Sequence, residues 1–365
     1  MVMKLGRLAV AVAASLALMV GSSAGAPVVR SHNQAWPERV VLREPMGLYS
    51  SVVSAGFVYG VVSLTQRPER GPYRLERWSL LSGRVRKGPL FSVGDISVAA
   101  GEVWVFGLTG SQSRLPHLFE VDPGRLTITR TLALPKPSYA NPVVAIPAAR
   151  DRSVWIGSYR TLRRIDTRTG KTLGQTRVPA HLAVWDLALD PSSRHLYVAL
   201  ATEAKGGASG VTVLEYDARN GHLLARAAAR PPLSYSVAGA GLTAVPGGVW
   251  ASFRTGSEGL TIHLRQHDLA LQPPPTTRIA STPPNGLFHW VMSASTIYGG
   301  DALWQATDGG IVACLNPATG KVRARERVPA FHEPGFLAVD PTHHRLFGLE
   351  AAGLVQITPP AACWR

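Results

Sequence analysis

From Ser51 onward the chain repeats one pattern about every 48 residues: four short runs rich in β-branched and aromatic residues, separated by Gly, Pro, Asp and Asn. Arg152–Pro179 shows it plainly. Ser153–Ser158 alternates around Val154 and Ile156, Leu162–Asp166 leads into the turn Thr167–Gly170, and Lys171–Val178 runs on from there. Runs of this kind, punctuated every few residues, are antiparallel strands joined by hairpins. Units open near Ser51, Asp95, Val143, Leu187, Leu242, Met292 and Phe336. The fifth is the least regular, and a Pro-rich crossing, Gln272–Gly286, leads from it to the sixth.

Two marks recur in register. One is a turn followed by an aromatic in the second strand: Gly101–Trp104, Arg152–Trp155, Gly247–Trp250 and Asp301–Trp304, with Tyr197 and Phe347 standing in elsewhere. An aromatic among aliphatics packs between neighbouring sheets. The other is a turn that opens on Asp or Asn and ends on Gly: Asp166–Gly170, Asp217–Gly221 and Asn316–Gly320. There the Asx side chain closes the turn and Gly supplies a positive φ. Period and strand count together predict an all-β chain folded as a seven-bladed β-propeller with four-stranded antiparallel blades. Six or eight blades are the competing counts. The last unit stops one strand short, and Val40–Arg43 is a strand-like run with no neighbour in sequence to pair with. That N-terminal strand is expected to complete the last blade and close the ring. Residues 39–365 then form a single domain, preceded by a polar tail at 27–38.

The first 26 residues read as a secretory signal: Lys4 and Arg7 are basic, Leu8–Val20 is apolar, and Gly21–Ala26 is small and polar. The apolar run is short for a membrane span. Cleavage after Ala24 or after Ala26 both fit, and an uncleaved anchor is the competing reading. The protein is therefore expected outside the cytoplasm, secreted or associated with the cell envelope, with no transmembrane segment once the signal is gone. Cys314 and Cys363, the two cysteines of the chain, form a plausible disulfide in that compartment. The formal net charge is +15, or +13 without Lys4 and Arg7. The basic residues are spread through every unit and no nucleic-acid-binding motif accompanies them, so a nucleic-acid partner is not expected. Compositional bias toward Arg is one reading of the charge; affinity for an anionic cell-envelope surface is the other.

Leu187–Ala199 (LALDPSSRHLYVA), Leu337–Gly348 (LAVDPTHHRLFG) and Asn316–Val322 (NPATGKV) resemble the strand-turn-strand repeats of the YVTN and quinoprotein-like family of bacterial β-propellers. The resemblance covers nearly the whole mature chain and implies the fold rather than a reaction. The Gly-x-Val-Trp segments are also similar to streptogramin lyases, without that family's catalytic motif. Quinone-dependent dehydrogenases imply Trp-docking and metal positions that have no match here, so no cofactor is identified.

The remaining chemical signals are weak. Gly170-Lys171-Thr172 ends like a phosphate loop, but Ile165 stands where the motif needs Gly and a strand follows. Gly21–Gly25 matches Gly-x-Ser-x-Gly inside the signal, without a strand-turn-helix around it. His263 and His267 on one strand would lie roughly 13 Å apart, too far to share a metal, and His343-His344 reads as a solvated turn. No metal site is expected. One constellation remains: in a propeller the residues before each innermost strand converge on one rim of the central channel. Here these are Tyr49, Asp95, Asn141, Trp185, Asp186, Tyr235, His289, Trp290, His332 and Glu333. Carboxylates, imidazoles and aromatics together suit orientation and stacking of a ligand. The expected function is a binding scaffold for a small molecule, an envelope polymer or a protein. A lactonase- or lyase-like enzyme using that rim is the alternative, and a wall-associated structural protein held by its charge is a third reading.

Overall fold

Side-chain alternation sets the strands and their burial sets the order. The computed structural model describes residues 36–42, 48–65, 72–91, 93–99, 102–108, 117–134, 144–147, 153–158, 160–179, 182–202, 211–229, 237–255, 258–272, 277–280, 295–306, 310–328, 337–350 and 353–365. All of them lie in the unit Trp36–Arg365. Among the described residues the fold is all-β apart from one 3-10 turn, Ala361–Trp364, and no helix there is long and apolar enough to cross a membrane.

The described residues form seven four-stranded antiparallel sheets. The first contains β2 (Leu48–Ser54), β3 (Phe57–Ser63), β4 (Tyr73–Ser79) and β5 (Val85–Phe91). The second contains β6 (Val93–Ala99), β7 (Glu102–Leu108), β8 (His117–Val121) and β9 (Ile128–Ala133). The third contains β10 (Val144–Pro147), β11 (Ser153–Ser158), β12 (Thr161–Asp166) and β13 (Thr172–Arg177). The fourth contains β14 (Leu182–Leu189), β15 (His195–Thr202), β16 (Val211–Asp217) and β17 (Leu223–Ala229). The fifth contains β18 (Val237–Val245), β19 (Gly248–Thr255), β20 (Glu258–Arg265) and β21 (Thr277–Ala280). The sixth contains β22 (Ser295–Gly299), β23 (Ala302–Ala306), β24 (Ile311–Leu315) and β25 (Val322–Arg327). The seventh orders β26 (Leu337–Asp340), β27 (Arg345–Glu350) and β28 (Gly353–Ile357) against β1 (Glu38–Leu42), with Glu38 opposite Ile357 and Val40 opposite Val355. The orphan N-terminal run is thus the outer strand of the last sheet.

First strands approach one another from each sheet to the next, and β26 approaches β2. Second strands such as β3 and β23 are buried almost throughout, the five residues of β23 entirely so, and third strands such as β12 are partly buried. Outer strands alternate exposed and half-buried positions, as in β13. Apolar clusters fill the seams. Trp155, Leu162, Leu196 and Tyr216 share one between the third and fourth sheets, and Val58, Trp78, Phe347 and Leu354 share one between the first and seventh. Each buried aromatic removes about 150–250 Å² from water, which makes these seams the main cohesive element.

Arginines add polar ties across the seams. Arg77 Nη1 donates to the Pro123 carbonyl at 2.6 Å, and Arg86 to that of Gly124 at 2.8 Å. Arg130 reaches the Thr167 carbonyl, and Arg164 that of Arg219. Each acceptor sits in the turn before the outer strand of the next sheet, so part of the high Arg content is structural. At the C-terminus a disulfide joins Cys314 of β24 to Cys363, with Cα atoms 5.7 Å apart. Trp36, Trp304 and Cys363 lie in one buried cluster there.

The structure departs from the sequence reading in the fifth sheet. Its fourth strand, Thr277–Ala280, lies inside the Pro-rich crossing, where Thr277 and Ile279 follow the prolines and give a short β-prone run. The signal at 1–26 and most of the tail at 27–38 fall outside the described residues.

Candidate functional site

Of the ten rim candidates, Asn141, Tyr235, His289, Trp290, His332 and Glu333 lie outside the described residues. Tyr49 and Asp95 lie within β2 and β6 rather than ahead of them, Asp95 opposite Phe106. Trp185 and Asp186 likewise lie inside β14, where the register shifts between Val184 and Asp186. A bulge there re-aims the two side chains. Trp185 is half-buried and packs on the cluster around Tyr197 and Val249. Asp186 Oδ2 accepts the Leu242 amide of β18 at 2.7 Å, and Oδ1 accepts the Leu187 amide at 2.8 Å. Both side chains therefore serve the seam between the fourth and fifth sheets.

A second constellation sits on the same seam. Glu215 of β16 is fully buried. Its Oε1 lies 2.7 Å from His195 Nδ1, and its Oε2 accepts the His267 amide at 2.8 Å. His195 is held by the turn ahead of β15, where Asp190 Oδ1 accepts the amides of Arg194 and His195 at 2.7 and 2.8 Å. His267 is exposed, in the turn after β20, with a positive φ of 75°. The two imidazoles meet edge to face with centroids 5.1 Å apart. One donor atom each from His195, Glu215 and His267 lies within 4.8 Å of the others. His263, by contrast, is buried in β20 and stacks on Trp250, with centroids 4.7 Å apart; burial pushes its pKa down to about 4. His343 bonds Asp340 at 2.8 Å and His344 stacks on Trp364.

The outer strands form a third feature. Arg86 and Lys87 in β5, Arg130 in β9, Arg177 in β13, Arg226 in β17 and Arg323, Arg325 and Arg327 in β25 outnumber the acids of the outer strands, Glu326 in β25 and Glu38 in β1. Between β13 and β17 lies a cleft of about 300 Å³. Val178, Pro179, Leu214, Tyr216 and Leu223 supply its apolar lining, with Arg177 and Arg226 beside them.

No family model matches the chain, and no curated protein does. Solved structures do. BamB from Moraxella catarrhalis matches with a TM-score of 0.53 at 14% identity, over 89% of this chain and 98% of that one. A Kuenenia stuttgartiensis hydrazine synthase chain gives 0.62 at 10% identity, over 87% and 97%. Raptor from Chaetomium thermophilum gives 0.60 at 10%, over 89% of this chain and 29% of that one. The chain is β-propeller-like. At these identities the likeness concerns the fold alone.

Sequence reasoning missed the His195–Glu215–His267 group because its members come from three segments. Spacing within one strand drew attention to His263 and His267, which point to different surroundings. The available signal was an acid in the third strand of the fourth unit: Glu215, directly opposite Tyr197 in register, falls where a packed sheet would otherwise take an apolar side chain.

Proposed function

We propose that the protein is an exported, seven-bladed β-propeller of the YVTN-like kind, closed by β1, that works as a binding scaffold for an anionic polymer of the cell envelope. The observation that carries the binding reading is the outer wall: strands on which basic residues outnumber the acids Glu38 and Glu326, flanking an open cleft whose apolar lining carries an arginine on two of its strands. Fixed positive charge beside apolar surface attracts a polyanion over a distance and then holds it by contact. The pairing of β1 with β28, and the core shared by the first and seventh sheets, support the closed ring. The disulfide supports an oxidising compartment. The enzymatic alternative is weaker: at the rim, Asp186 is the candidate carboxylate whose contacts are described, and backbone amides engage both its oxygens.

The test is retention of the purified protein on immobilised acidic envelope polymer across a salt series. Binding should fall steeply toward ~1 M salt, where exposed charges are screened within about 3 Å. Arg177→Glu with Arg226→Glu should weaken it without changing the unfolding temperature. Salt-independent binding, or full binding by the double variant, would move the function away from this wall. The ring is tested separately by deleting residues 1–43, which should leave β28 as an open edge and cause aggregation.

A further inference from the structure

Glu215 is a carboxylate withdrawn entirely from water, and such a group needs partners for both oxygens. One partner is the His195 ring and the other the His267 amide. The imidazole of His267 is left exposed above them, brought over from the neighbouring sheet. A second observation points the same way. Tyr197, opposite Glu215 in the β15–β16 register, is fully buried, and its hydroxyl has no hydrogen-bond partner among the described residues.

We propose that His195, Glu215 and His267 bind a divalent transition-metal ion, zinc in the first place, at the seam between the fourth and fifth sheets. Two imidazoles and one carboxylate are a donor set for zinc and its first-row neighbours. Calcium and magnesium prefer oxygen alone. Zinc–ligand distances of about 2.0–2.2 Å put donors around one ion about 3.3 Å apart. Three donors within 4.8 Å of one another reach that spacing by small rotations, and His267, being exposed, is free to make one. Neighbouring acids do not compete. Asp268 is held by Arg265, and Asp190 is engaged by the turn amides around His195. The fourth coordination position faces solvent beside His267 and takes water or a donor from a bound partner. The ion would pin the Arg265–Ala270 turn to the fourth sheet.

The alternative is a metal-free hydrogen bond between His195 and Glu215, and one experiment separates the two. Untagged full-chain protein, stripped with chelator, is titrated with zinc and with cobalt, and bound metal is counted by mass spectrometry under native conditions. The proposal expects about one ion per chain, visible d–d bands with cobalt, and a higher unfolding temperature in zinc. His267→Ala keeps the backbone amide that serves Glu215, so it should fold normally yet bind at least ~tenfold more weakly. His195→Gln, which retains a donor for Glu215, should behave likewise. Paired replacement of His343 and His344 by Ala should leave the stoichiometry unchanged. Failure of the parent protein to bind at micromolar zinc would overturn the site and leave the metal-free hydrogen bond. Undiminished binding by both His267→Ala and His195→Gln would overturn it equally.

Discussion

Trp250 Nε1 donates to the Pro317 carbonyl at 2.7 Å, and the far edge of the same indole lies over Gly320, where a Cβ would come within 2.6 Å of Cη2. Trp155 repeats the relationship two seams earlier, between the third and fourth sheets. It donates to Ala218 at 3.1 Å, and a Cβ on Gly221 would approach its Cη2 to 3.3 Å. The aromatic of one sheet and the Gly-ended turn of the next are therefore two halves of one joint. The glycine answers two demands at once, a positive φ and room for the ring.

Those demands can be separated by substitution. Gly170, Gly221 and Gly320 have φ of 71°, 75° and 68°, so Ala pays a similar left-handed penalty at each, about 1 kcal/mol. At Gly170 the nearest atom is 3.6 Å away and nothing more is lost. At Gly320 the overlap is with a fully buried indole, which adds about 1–3 kcal/mol. Urea unfolding should rank the losses Gly320→Ala, then Gly221→Ala, then Gly170→Ala. Equal losses would mean that only φ matters.

Much of this architecture was legible because its causes are local. The alternation in Ser153–Ser158, the Asx–Gly turns and the aromatic register are written in adjacent residues, and β1 was found as a strand-like run lacking a partner. The disulfide pair needed no choice among cysteines. What could not be read is set by distant segments meeting. Asp186 could be placed near an inner strand, but its use as an acceptor for Leu242 depends on a bulge and on the neighbouring sheet. Glu215, His195 and His267 come together only through the stacking of two sheets. The strand at Thr277–Ala280 was hidden by the prolines before it.

Asp186 carries the next expectation. Replacing it with Ala strips the Leu242 amide of its acceptor at a half-buried position, which costs about 1–3 kcal/mol. Hydrogen exchange of the Leu242 amide should accelerate, with a matching fall in unfolding temperature. If stability and exchange stayed at parental values, the carboxylate would be spared from the seam and available for a ligand, as the rim reading required.

The disulfide should matter more than its terminal position implies. Cys314 and Cys363 are 49 residues apart and both fully buried. The loop-entropy estimate for that length is about 4 kcal/mol, and about 2–4 is typical. The 3-10 turn also carries Trp364, which packs on Trp304 with centroids 4.8 Å apart. Double replacement of the cysteines by Ser should lower stability on that scale and loosen Trp364, visible as altered tryptophan fluorescence. In the parent protein, thiol labelling should need both reductant and denaturant. Ready labelling of the folded protein by reductant alone would contradict the buried bridge.

His263 makes the last case, because its chemistry fixes a sign. Burial against Trp250 lowers its folded pKa to about 4, while the unfolded chain titrates near the ordinary 6.5. Between those values the unfolded state holds a proton that the folded state lacks, so stability rises with pH across the window. The contribution is complete above about pH 6.5 and is lost as the pH falls toward about 4. The turn carboxylates Asp122, Asp166 and Asp268 have lowered pKa values, through backbone amides at the first two and through Arg265 at Asp268. Their contributions disappear at lower pH, so the two effects separate on the pH axis. Unfolding followed at steps from pH 8 to pH 4 should therefore show a slope in the parent that His263→Phe flattens, whatever the variant's absolute stability. A variant whose slope between pH 6.5 and pH 4 matched the parent's would assign that pH dependence to other groups.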